Sequence, residues 1–378
     1  MAMDRLFQLM KDKKASDLFM SVNSPIQVKI NGSLVPVNQQ KMDNATIKAL
    51  LAEVVSAAQL HELDTRNELN MGIPVPGVGS FRLSAFRQRG SVSAVIRYIP
   101  GDIPRLADLN VPPILADVIM EKRGLVLVVG ATGSGKSTTI AAMLDHRNIN
   151  RTGHILTLED PIEFLFTSKK SIVNQREIGT DAESLQVALK NALRQAPDCI
   201  LIGEIRDKDT MANAIAYAQS GHLVVATLHA NNSYQALTRI INFYPLENRP
   251  SLLPDLAATI KAVISQRLIV AKDGGRRAAV EVMLNTRHIA ELIEQGEIGQ
   301  IKDAIEKSMA PGSQTFEQAL LRLIEDDVVT QDEALANADS ATNLYWLINN
   351  SKGGKAPEPV PEPKKDDGPT FTEFTLNV

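Results

Sequence analysis

Apolar residues change their period several times along the chain, and each change predicts an element. Ile47, Leu50, Leu51, Val54 and Val55 recur at the spacing of one helix face, which predicts an amphipathic helix over 44–60. Upstream, "PIQVKINGSLVPV" alternates with period two on both sides of Asn31-Gly32, a dipeptide suited to the positive φ angles of a two-residue hairpin turn. "SFRLSAFRQRGSVSAVIRYIP" alternates in the same way and predicts a second strand pair turning near Gly90. Prolines crowd "PGDIPRLADLNVPP", so 101–113 reads as an extended linker closing a small mixed α/β domain over 1–100.

Beyond 114 the pattern becomes short unbroken apolar runs separated by helical periods. Leu125–Val129, Ile155–Leu158, Cys199–Ile202 and Leu223–Leu228 are apolar throughout, as parallel strands covered on both faces must be. Helices are expected over 182–194, capped by Asp181, and over 208–220, stopping at Gly221. "RLIVAK" and "RAAVEVML" predict two strands around Asp273-Gly274-Gly275, with helices following to about 350. The second domain is thus 114–350, and the Pro- and charge-rich 351–378 predicts a disordered tail.

Composition narrows the classes. Apolar residues are 44% of 378, enough for two cores, which excludes wholesale disorder. Forty basic against 44 acidic residues leave a net charge of −4, which argues against a nucleic-acid backbone as main partner. The single cysteine, Cys199 within "CILI", excludes an internal disulfide and a four-cysteine zinc site and suits a reducing compartment. The start lacks a signal-type apolar segment, and no run approaches the roughly 20 apolar residues of a membrane span, so a cytoplasmic protein is expected.

The chemistry begins at "VVGATGSGKSTT". Gly130, Ala131, Thr132, Gly133, Ser134, Gly135, Lys136 and Ser137 satisfy G-x-x-x-x-G-K-[ST], and a predicted strand precedes them and a predicted helix follows from Thr138. Glycines let successive N–H groups curl around an anion, and the helix adds its positive end. Lys136 is placed to reach the β- and γ-phosphates of ATP, and the Ser137 hydroxyl to bind Mg²⁺.

Ligands of open α/β sheets sit beyond the carboxyl ends of the strands, so the residues there matter next. "ILTLEDPIEF" delivers Glu159, Asp160 and Glu163; "CILIGEIRD" delivers Glu204, Arg206 and Asp207; "LVVATLHAN" delivers His229. Hydrolysis needs a group that orients water and a carboxylate that holds the hydrated metal beside Ser137, and Glu163 and Glu204 are the candidates for these two tasks, in either order. His222 and His229 bracket one strand, about 23 Å apart at roughly 3.3 Å per residue, so both cannot touch one phosphate. His229 is the expected γ-phosphate sensor; His222 is expected to be structural or at a subunit contact. His61, His146, His154 and His288 carry no comparable signal. Arg87 and Arg89 fit a solvated strand face, whereas an arginine from the first domain could overhang a nucleotide, that of a neighbouring subunit.

The ordered set "GATGSGKSTT", "TLEDPIEF", "NQREIGTD", "GEIRD" and "GHLVVATLHAN" resembles the secretion ATPases of type IV pilus and type II secretion machines, and within them the PilT/PilU retraction branch. The likeness spans about 1–345. It implies a PAS-like N-terminal domain followed by a RecA-like P-loop ATPase domain, in a homohexameric ring with ATP between subunits. It also implies Glu163 as general base, Glu204 as the Walker B residue, His222 and His229 as a histidine box, and Arg82 and Arg97 as arginines carried towards the nucleotide. The four-cysteine element common in pilus extension ATPases is absent, and the A-I-R-N-L-I-R helix of principal retraction motors reads "HIAELIE" at 288–294. The first speaks against an extension role; the second, with the long tail, leans towards an accessory retraction ATPase.

The expected protein is therefore a Mg²⁺-dependent ATPase powering pilus disassembly and twitching motility. Its expected partners are a paralogous retraction ATPase and an inner-membrane pilus platform protein, at the cytoplasmic face of the inner membrane, without nucleic acid. The rivals are a pilus assembly or type II secretion ATPase, a RecA-like nucleic-acid translocase, a non-catalytic nucleotide-binding module and a small-molecule kinase.

Overall fold

Six strands pair only among themselves in the first hundred residues: β1 (Asp17–Met20), β2 (Gln27–Ile30), β3 (Ser33–Pro36), β4 (Glu68–Val75), β5 (Gly79–Gln88) and β6 (Ser91–Ile99). Their order is β3-β2-β1-β6-β5-β4, antiparallel throughout. The computed structural model describes residues 1–30, 32–99 and 102–351. Asn31, Pro100, Gly101 and 352–378, which is nearly all of the expected disordered tail, lie outside the described residues. Both expected hairpins are present: Ile30 pairs with Ser33 and Gln88 with Ser91, so each turn has two residues. Arg89 and Gly90 both take positive φ, as that turn requires. One face of this sheet is covered by helix Ala2–Asp12, whose Phe7 stacks on Phe81 with ring centroids 4.2 Å apart.

The helix expected over 44–60 is two helices, Asn44–Leu51 and Ala57–Arg66. Apolar periodicity runs through the break because Ile47, Leu51 and Val55 are all buried in one core. Local hydrogen bonding decides against continuity. Ser56 is extended, and its hydroxyl and the Gln59 side chain form a reciprocal capping box that starts the second helix.

The second sheet comprises β7 (Gly124–Val129), β8 (Gly153–Glu159), β9 (Ser171–Glu177), β10 (Cys199–Ile202), β11 (Leu223–Leu228), β12 (Ile260–Val270) and β13 (Arg276–Leu284). The order is β13-β12-β7-β11-β10-β8-β9, parallel except for the β12–β13 hairpin. Central strands are covered on both faces, as their unbroken apolar runs predict. Leu125, Leu127 and Val129 of β7 enter one core, while Val126 and Val128 enter the other. Two separate sheets in one α/β chain match the expected fold class. Leu106, in a short 3₁₀ turn over Leu106–Leu109, packs into the second core, so the linker is tethered there.

Helix Leu185–Ala192 starts at Ser184, whose hydroxyl accepts from Val187 N, and not after Asp181. Asp181 is occupied elsewhere: its carboxylate accepts from Glu177 N at 2.8 Å. Helix Lys208–Gln219 ends as expected, with Gly221 at φ 105°. C-terminal helices follow to Ser351, around a small core that includes Phe316, Leu320, Leu344 and Ile348. Trp346 lies on the last of them and is 54% exposed.

Candidate active site

The loop 130–135 connects β7 to helix Lys136–Asn150, and its geometry depends on glycine. Gly130 has φ 151° and a Cβ there would lie 2.5 Å from the Gln266 carbonyl; Gly135 has φ 88° and a Cβ would meet Gln266 Nε2 at 2.7 Å. Gln266, on β12, therefore forms the floor of the loop, and its Oε1 also accepts from Thr139 Oγ1 at 2.8 Å. No side chain caps the helix at Gly135. The first-turn N–H groups, which no helix can satisfy internally, remain for an anion. Among the described residues Ser134 Oγ is buried without a partner. Lys136 Nζ folds back and donates to the Gly130 and Ala131 carbonyls, 2.8 Å from each. Burial lowers the Lys136 pKa, while Glu204 and Glu163 act in the opposite sense. An uncapped helix end, an orphaned hydroxyl and a lysine resting on its own loop fit a polyphosphate.

The loop opens into a cavity of about 700 Å³ whose lining includes Lys136, Ser137, Glu163, Glu204, His229 and Arg82. The parallel register explains why strand-end residues meet there: Leu158 lies beside Ile202, and Ile202 beside Ala226. Glu204 is the hub. Its carboxylate accepts from Arg206 Nε at 2.6 Å and stands 3.1 Å from His229 Nε2. Gly203 lets β10 pass close to β8, since a Cβ would be 3.1 Å from the Leu158 carbonyl. Glu159, at the end of β8, accepts from Thr157 Oγ1 at 2.6 Å, and burial raises its pKa.

His222 sits at the opposite end of β11, with Nδ1 3.0 Å from Ser220 Oγ and 3.2 Å from the Tyr217 carbonyl. The geometry separates the two histidines as the strand length requires. The arginines divide as well. Arg82 lines the cavity of its own chain, its Nη2 3.5 Å from Glu163 Oε1. Arg97 is outside that lining, bonds Asp17 at 2.8 Å and is 61% exposed. Arg87 bonds Asp64 at 2.5 Å on the solvated face. Periodicity and motif matching give Gln266 no signal, and Glu177 lies inside the matched stretch "NQREIGTD" without a role, because the contacts of both are to backbone that no local pattern encodes.

A model of the Type II/IV secretion system protein family matches residues 2–335. The chain is 45% identical to the "Type IV pilus ATPase PilU" of Pseudomonas aeruginosa, over 92% of this chain and 91% of that one. It is 37% identical to the "Type IV pilus retractation ATPase PilT" of the same organism, over 87% and 96%. Among solved structures it resembles "Crystal Structure of the Pilus Retraction Motor PilT and Bound ADP", with TM-score 0.83, 36% identity and coverage of 89% and 98%.

Proposed function

The chain belongs to the Type II/IV secretion system protein family, and from that premise we propose that it is an ATPase of the type IV pilus machine that drives retraction. It binds nucleotide in the cavity above the phosphate loop. In this reading the N-terminal domain is 1–100, the linker 101–113 and the ATPase domain 114–350. The stretch "HIAELIE", in place of the arginine-bearing helix of principal motors, supports the accessory role over the principal one.

Each residue has a task there. Lys136 leaves its two loop carbonyls and takes the β- and γ-phosphates, aided by N–H groups of 131–138. Ser137 and Glu204 hold Mg²⁺, which supplies charge neutralisation at the phosphates when bound; one hydroxyl and one carboxylate suit an ion that keeps waters and phosphate oxygens. Glu163 orients the attacking water and receives its proton. His229, touching Glu204, reads the γ-phosphate. Arg82 meets charge developing on the transferred group, and Arg97 is left for the nucleotide of a neighbour in a homohexamer. The paralogous retraction ATPase and an inner-membrane platform protein are the partners this role requires.

The observation that carries the proposal is the meeting of Lys136, Glu163, Glu204, His229 and Arg82 around one cavity. Nucleotide binding and steady-state hydrolysis test it. Lys136→Ala should lose affinity, whereas Glu163→Gln and Glu204→Gln should keep ATP and lose about 100-fold or more in turnover. Wild-type turnover in Glu163→Gln removes Glu163 from the mechanism. A nucleic-acid translocase would instead show salt-dependent binding of nucleic acid that stimulates hydrolysis.

A further inference from the structure

We infer that Glu177 is a positioning residue, a buried carboxylate that docks the first sheet on the second and so sets Arg82 and Glu163 over the phosphate loop. Glu177 ends β9 and is 7% exposed. Its Oε1 accepts from Gly72 N and from Thr180 Oγ1, each at 3.1 Å, and its Oε2 accepts from Ile162 N at 3.1 Å. Three donors offset the cost of burying a carboxylate, and two of them belong to different sheets' segments. β4 is an edge strand, where some N–H groups have no ladder partner, and Glu177 takes the one at Gly72.

The two backbone donors are adjacent to the chemistry. Gly72 lies opposite Arg82 in the β4–β5 register, and Ile162 directly precedes Glu163. One side chain thereby fixes both members of the Arg82–Glu163 pair. Gly72 is required for the approach, because a Cβ there would lie 2.8 Å from Glu177 Oε2. The obstacle is the end of a flexible side chain, so Gly72→Ala should fold while pushing the carboxylate off its donors.

The inference rests on the proposed roles of Arg82 and Glu163, and its test separates the two. Steady-state ATPase kinetics are measured on full-length Glu177→Gln, Gly72→Ala, Arg82→Ala and the Glu177→Gln/Arg82→Ala double variant. Glu177→Gln and Gly72→Ala should each lower kcat about 10- to 100-fold, with KM for ATP changed little. The double variant should lose less than the product of the two single losses, because part of the effect of Glu177 runs through Arg82 and the rest through Glu163. Amide exchange in Glu177→Gln should rise together in segments 68–75 and 160–165. Wild-type kcat in Glu177→Gln, losses that multiply in the double variant, or exchange rising in one segment alone overturns the inference. Wild-type turnover in Arg82→Ala overturns the role of Arg82 instead, and the paired exchange then still decides whether Glu177 joins the sheets.

Discussion

Cys199 illustrates how far one residue could be read before the fold was known. Its place in "CILI" predicts a small buried hydrophobe, and it is fully buried on β10 with its thiol pKa pushed up to about 11 by burial. A thiol so placed supplies almost no thiolate at neutral pH. Native protein should therefore resist an aromatic disulfide reagent, and one thiol per chain should react after denaturation. Rapid reaction of the native chain would contradict this burial. The phosphate loop was equally legible, because glycine and lysine spacing states its chemistry directly. The partners of Glu204 were not, since Arg206 is two residues away but His229 arrives from another strand.

Strands and helices were legible where burial alone shaped them. The central strands show unbroken apolar runs because both faces are covered, whereas β9 is an edge strand whose polar residues and exposed Ile172 carry no such run. Capping residues moved two helix boundaries that periodicity could not locate. Helix Arg287–Gln295, which contains "HIAELIE", has one apolar face: Ile289, Leu292 and Ile293 are buried. Ala290 is half-buried against the same core, so only Glu294 offers exposed chemistry where the principal motors carry arginines. Ile289→Ala should cost about 2–5 kcal/mol in denaturant unfolding. Glu294→Arg should change stability by no more than about 0.5 kcal/mol. A large loss from Glu294→Arg would show that this position is structural, and its charge could not then be the basis of altered docking.

At the scale of the whole molecule the question is self-sufficiency. The residues proposed for catalysis are all present, yet a reversed charge at Glu294 would repel any acidic surface that an arginine engages. Hydrolysis and productive docking should therefore come apart. With the paralogue deleted, this chain should hydrolyse ATP but not retract labelled pili, at normal or raised levels; with the paralogue present, retraction should return. Vigorous retraction by this chain alone would sink the accessory role. Assembly has its own test. If the proposed ring forms, Arg97→Ala chains should turn over slowly, and mixing them with Lys136→Ala chains should restore some activity at mixed interfaces. Unchanged turnover in folded Arg97→Ala rings would return Arg97 to its pairing with Asp17.

Trp346 gives the molecule a built-in optical bias. It is the sole tryptophan of the sequence and it is half in solvent on helix Ala341–Ser351. Intrinsic emission excited at the red edge thus comes from one corner, remote in sequence from both the phosphate loop and the first sheet. An unfolding curve followed by that emission tracks the C-terminal helices, while circular dichroism averages every helix and strand. Where the two curves separate, the C-terminal helices are melting independently of the rest; where they coincide, a single cooperative transition includes them.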